Sequence, residues 1–118
     1  MAYMLLILEP RGQRAMRSPE EGQEAWESML RFGDDLKTRD LLKAVASLKP
    51  DTQGARLQVR GGKSTLVDGP FAEAKEMIGG FFLLDCETKE EAIAIARECP
   101  AAQWATVEVR EVGPCYLS

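Results

Sequence analysis

Histidine is absent from these 118 residues, and its absence removes more chemistry than any residue present adds. Without imidazole there is no Ser-His-Asp or Cys-His nucleophile system and no histidine ligand for a metal or haem. Nor is there a side chain whose ordinary pKa lies near neutrality. Cysteine is scarce: Cys86, Cys99 and Cys115 include no close pair of the kind that zinc sites and redox motifs normally need. Three thiols, an odd number, fit reduced cytoplasmic conditions better than a disulfide framework. We therefore expect no cofactor and no bound metal. Positive charge is also short. Fifteen Lys and Arg against nineteen Asp and Glu leave a net charge of −4. No basic block is present to meet phosphates, so no nucleic-acid partner is expected. The apolar runs Tyr3 to Leu8 and Phe81 to Leu84 fall far below the ~20 residues of a membrane-spanning helix. No basic segment precedes the first run as it would in a signal peptide. The expectation is one soluble, cytoplasmic domain over residues 1–118, long enough for one core and too short for two.

What is present reads as alternating strands and helices. Tyr3 to Glu9 is a strand, stopped by Pro10 and Gly12, and a loop carrying Arg11, Arg14 and Arg17 follows. Ser18-Pro19-Glu20-Glu21 matches a capping box with proline at the first helical position. Behind it, Ala25, Met29, Phe32 and Leu36 recur on one face of a helix ending near Thr38, where the usual terminating glycine is missing. Leu41 to Leu48 is a second strand. Ala55, Leu57 and Val59 alternate with Arg56, Gln58 and Arg60, and Gly61-Gly62-Lys63 turns that strand into a partner, Ser64 to Val67. Phe71 to Met77 is expected to be a charged segment with one helical turn, and Phe81 to Cys86 a further strand. Thr88-x-x-Glu91 caps a second helix striped by Ala92, Ile95, Ala96 and Cys99, which Pro100 ends. Thr106 to Val112 is the last strand.

Two strand-helix-strand units flanking a hairpin predict an α+β, ferredoxin-like βαβ-ββ-βαβ sheet with both helices on one face. A conflict follows. Tyr3 to Leu8 and Phe81 to Leu84 are apolar at consecutive positions, the pattern of strands buried on both faces. Two helices cover only one face, so something else must cover the other.

The segment Val67-Asp68-Gly69-Pro70-Phe71-Ala72-Glu73-Ala74-Lys75-Glu76-Met77-Ile78-Gly79-Gly80-Phe81 resembles the signature of the YCII-related (DGPF-domain) family of small bacterial proteins. The opening Tyr3-Met4-Leu5-Leu6-Ile7 and the closing Cys99-Pro100 and Thr106-Val107-Glu108-Val109-Arg110 resemble it too, in the same order. The resemblance implies a dimeric α+β barrel, two sheets packed face to face, which would cover the second face as a homodimer. It also implies a setting linked to extracytoplasmic-function sigma factors, hence a regulatory or ligand-sensing role. The His-Asp pair proposed for the YCII branch has no counterpart here, and Ala74 stands where the DGPF branch commonly has Thr.

Asp68 is the candidate for chemistry. As an acid or base it would stand at a strand end by the cleft between sheet and helices, near Phe71; as an Asx-turn residue it would bond backbone N–H groups. Glu73 and Lys75 are candidates for a polar ligand or for a solvated face. Trp26 is a candidate pocket wall or core residue. Arg11, Arg14 and Arg17 could meet an anion, although a solvated loop is the plainer reading. Gly79-Gly80 could admit a ligand to the backbone or mark a bend. Gly61-Gly62-Lys63-Ser64 lacks the spacing and the following helix of a phosphate loop and is rejected. Two function classes remain. One is a small-molecule-binding or regulatory module. The other is a histidine-free, cofactor-independent enzyme using Asp68 in a barrel pocket.

Overall fold

A computed structural model describes residues 2–116. It contains β1 (Ala2–Pro10), α1 (Pro19–Thr38), β2 (Leu42–Ser47), β3 (Ala55–Arg60), β4 (Lys63–Asp68), β5 (Glu76–Asp85), α2 (Lys89–Glu98) and β6 (Thr106–Glu111). Four strands form one sheet in the order β2-β5-β1-β6, each neighbour antiparallel. Each helix thus joins two parallel strands that have a strand of the other unit between them, which interlocks the two units.

Period-two alternation sets the inner face of β1. Tyr3, Leu5, Ile7 and Glu9 are buried, while Met4, Leu6 and Leu8 are half-buried on the other side. Residues of α1 (Phe32, Leu36) and α2 (Ala92, Ile95, Ala96) share one core with Tyr3, Leu5, Ile7, Phe82 and Leu84, so both helices pack on the same face. The Phe32 and Phe82 rings meet edge to face at 5.1 Å, a favourable aromatic geometry. The opposite face carries Met4, Leu6, Leu8, Phe81 and Leu83, which shield one another and leave the face uncovered.

Helix α1 begins as the sequence predicts. The Glu21 N–H donates to Ser18 Oγ at 3.1 Å and the Ser18 N–H donates to Glu21 Oε1 at 2.9 Å. Those bonds, with the nearby Arg17 charge, hold the Glu21 carboxyl below the usual glutamate value. Its end explains the missing glycine. Asp40 adopts φ +59°, and the Leu41 N–H reaches back to Leu36 O at 2.9 Å, so a non-glycine residue occupies the left-handed position of a Schellman-type stop. Aspartate tolerates that region with some strain. Asp40→Gly is therefore expected to stabilise the fold by about 0.5–1 kcal/mol, read as a higher urea midpoint at unchanged slope; a lower midpoint would show that Asp40 carries no strain.

Three sequence expectations need correction. The β3–β4 hairpin, turned by Gly61 (φ +57°) and Gly62 (φ +76°), forms a separate two-stranded sheet and does not join the main one. Its apolar residues Leu57, Val59 and Leu66 are exposed. Residues 71–77 contain a turn closed by the Ala74 N–H on Phe71 O at 3.0 Å, not a helical turn. Finally, β5 begins at Glu76, before the paired glycines. The projecting hairpin gives the chain a radius of gyration of 16.1 Å, against about 13.5 Å for a compact domain of this length.

Candidate functional site

A cleft of about 440 Å³ opens between α1 and the β2–β5 edge of the sheet, on the helix-covered face. Its size falls within the range of small-molecule sites. Trp26, Met29 and Leu30 of α1 form one wall; Val45 of β2 and Phe82 of β5 form the other. Trp26 and Leu30 keep about half their surface exposed, at 51% and 48%, as does Val45 at 50%, so this apolar lining faces open space. Helical spacing places Trp26 and Leu30 one turn apart, and the Phe82 ring packs against α1 at Gly33, 3.7 Å from where a Cβ would stand.

The polar end of the cleft is built on Glu9. Because it continues the inward phase of Tyr3, Leu5 and Ile7, its side chain is carried under the sheet end and is only 11% exposed. A buried carboxylate needs a partner, and Arg14 supplies one bidentately: Nε donates to Oε2 at 2.8 Å and Nη2 to Oε1 at 2.6 Å. The remaining Arg14 nitrogen, Nη1, donates to Leu48 O at 2.8 Å. Gly79 is what makes room. A Cβ there would overlap the Glu9 carboxylate and stand 3.0 Å from Arg14 Nη2, and one on Gly80 would stand 2.7 Å from Ala46 O. The paired glycines thus belong inside β5, admitting the ion pair and the neighbouring strand.

Arg17 completes the polar end. Its guanidinium lies 5.5 Å from the centre of the Trp104 ring, and both residues line the cleft. Arg11 pairs with Asp51. All three loop arginines are half-buried, Arg11 and Arg14 in ion pairs and Arg17 over the Trp104 ring, so the solvated-loop reading does not hold. The signal that could have located the pair was a carboxylate in the buried phase of β1 with an arginine five residues on.

The residues singled out from sequence divide between two places. Trp26 lies in the cleft wall; Asp68, Phe71, Glu73 and Lys75 do not line it. Asp68 is exposed at the end of β4, and its carboxylate makes no hydrogen bond among the described residues, so neither the cleft-mouth position nor the Asx turn describes it. The turn is held instead by the Gly69 N–H on Gly54 O at 2.8 Å, where a Cβ would collide with Asp51 O. Phe71 is buried beneath the Arg56 guanidinium, 3.8 Å away, and Glu73 pairs with Arg56 at 3.6 Å on the surface. Lys75 is exposed, and its carbonyl accepts from the Arg11 N–H at 3.1 Å. Residues 69–75 of the signature segment thus form a loop anchored by Phe71, between the end of β4 and the start of β5.

Cys86 and Cys99 are buried, and burial pushes both thiols up, away from the reactive thiolate. Among the described residues, no group of three or more Cys, Asp or Glu is gathered as a metal would require, and no helix is long and apolar enough to cross a membrane.

Comparison with known proteins agrees in extent with the architecture. An uncharacterised protein of Rhizobium meliloti (strain 1021) is 32% identical over 117 residues, spanning 99% of this chain and 94% of that protein. A model of the YCII-related domain matches residues 1–115. The chain belongs to the YCII-related domain family.

Proposed function

We propose that this protein is a small-molecule-binding module whose ligand lies in the α1 cleft, its apolar body against Trp26, Met29, Leu30, Val45 and Phe82. The observation that carries this reading is the exposed apolar lining of a preformed 440 Å³ cleft with a fixed polar end. Binding suits the site better than catalysis. Its acidic and basic groups, Glu9 and Arg14, are locked to each other, and neither is placed beside a nucleophile it could activate. No observation draws Asp68 into the reading, since its carboxylate stands in solvent away from the cleft. The protomer acts as one half of a homodimer, a ferredoxin-like sheet pairing with its copy through the helix-free face to give the α+β barrel. Ligand-dependent regulation linked to a sigma factor is the setting that the family resemblance suggests for such a module.

The test uses Val45→Phe, a substitution at a half-exposed edge-strand position that fills the cleft without disturbing the core. The neutral, polarity-sensitive dye Nile red is expected to bind the native protein, and Val45→Phe to weaken that binding at least tenfold with an unchanged circular-dichroism spectrum. Equal binding by both proteins would move the ligand site out of the cleft.

A further inference from the structure

We infer that the cleft selects an amphipathic monoanion, a carboxylate with an apolar body, and that Arg17 is the residue that recognises its head. The inference rests on the proposed binding role of the cleft and adds the charge of the ligand. Three positions at the polar end carry the argument. Glu9 is charge-paired, because both its oxygens accept from Arg14. Arg14 in turn places Nε and Nη2 on Glu9 and Nη1 on Leu48 O, so each of its nitrogens is engaged. The pair is therefore electrically closed and offers a ligand little.

Arg17 differs. Its guanidinium makes no side-chain hydrogen bond and no ion pair within 4.0 Å among the described residues, although it is half-buried and lines the cleft. Glu21, the carboxylate whose titration it influences, is already engaged by the Ser18 N–H at 2.9 Å. The Trp104 ring beneath Arg17 holds the cation by its face and leaves the N–H edge of the fork unoccupied. A planar guanidinium with free N–H groups, next to an apolar wall, matches a carboxylate bidentately. A cationic ligand gains little here, since the charge of Glu9 is already compensated by Arg14. A neutral one would leave the Arg17 donors unsatisfied by the ligand. The cleft volume of about 440 Å³ corresponds to roughly 15 water-sized volumes, which fits a small organic acid.

The experiment compares octanoate with 1-octanol, which share a chain and differ in the charge of the head, by titration calorimetry on the full-length protein. Octanoate is expected to bind at least tenfold more tightly than 1-octanol. Arg17→Gln should remove that preference while leaving 1-octanol affinity unchanged, and Arg17→Lys should retain part of it. Equal affinity of native protein for the two probes overturns the anion selectivity and leaves the cleft standing. Equal loss of both probes in Arg17→Gln, with the fold intact, shows that Arg17 supports the wall and recognises no head group, and overturns the inference too. Binding of neither probe removes the cleft reading and this inference with it.

Discussion

Arg14→Ala is expected to lower stability by about 3 kcal/mol, because it strands the carboxylate of buried Glu9 without its only charged partner among the described residues. For a domain of this size that corresponds to a fall in Tm of roughly 10 °C. Removing the other partner should cost less. The Arg14 side chain retains 31% of its surface, so in Glu9→Ala it can turn towards water. The asymmetry separates a buried-charge penalty from a simple loss of contact, which would make the two substitutions equal. Replacing both partners, as Glu9→Leu with Arg14→Met, should cost less than Arg14→Ala alone, since no charge is then left buried. Gly79→Ala tests the same pair from the backbone side: its Cβ occupies the place of the carboxylate, and its cost should approach that of Arg14→Ala. Urea unfolding of the four variants gives the comparison. An Arg14→Ala midpoint equal to that of the native protein would show that Glu9 finds other solvation.

The elements with local causes were legible in the sequence. The capping box at Ser18 and Glu21 is present bond for bond, Thr88 accepts from the Glu91 N–H at 3.2 Å as the second motif predicts, and the two glycines at 61 and 62 take the positive φ values that the hairpin turn demands. What escaped depends on contacts between distant segments. Gly79-Gly80 reads locally as a break, yet it lies within β5 because Glu9, Arg14 and the Ala46 carbonyl need its missing side chains. The strand therefore starts at Glu76, five residues ahead of the apolar run. Asp68 attracted attention through its motif, whereas the groups brought to the cleft come from β1, the following loop, α1 and β5, and no short sequence window contains them. Trp26 was legible only as one of two alternatives, since helical spacing does not distinguish a residue facing the core from one facing a cavity beside it.

The consecutive apolar residues of β1 and β5 raised a question that one protomer leaves open. Tyr3, Leu5, Ile7, Phe82 and Leu84 face the helices and are buried, but Met4, Leu6, Leu8, Phe81 and Leu83 are only half-buried and meet no helix among the described residues. The hairpin repeats the problem with Leu57, Val59 and Leu66 exposed. A sheet that faced water on this side would read as alternating apolar and polar residues. The departure from alternation calls for a second layer, and in the proposed homodimer a copy of the same sheet would supply one of matching character.

Leu6→Lys is the substitution expected to break that pairing. Leu6 lies at the centre of the open face, opposite Phe81 on β5 and Glu108 on β6. In a single protomer the lysine ammonium can reach water or Glu108, so the fold should survive. In the face-to-face dimer two lysines would be buried, one from each copy. At about 3 kcal/mol for each charge taken out of water, the dissociation constant should rise on the order of 10⁴-fold. Glutamate would be a poorer probe, because repulsion from Glu108 would destabilise the protomer itself. Sedimentation equilibrium at micromolar concentration should give the native protein twice the 13.1 kDa chain mass and Leu6→Lys the single mass, with the variant binding more hydrophobic dye on its uncovered face. An interface of this kind should bury more than about 2,000 Å² in total. A native protein sedimenting at the single mass would overturn the dimer, and a Leu6→Lys protein that remains dimeric would place the interface on another surface, the exposed Leu57, Val59 and Leu66 stripe of the hairpin being the next apolar candidate.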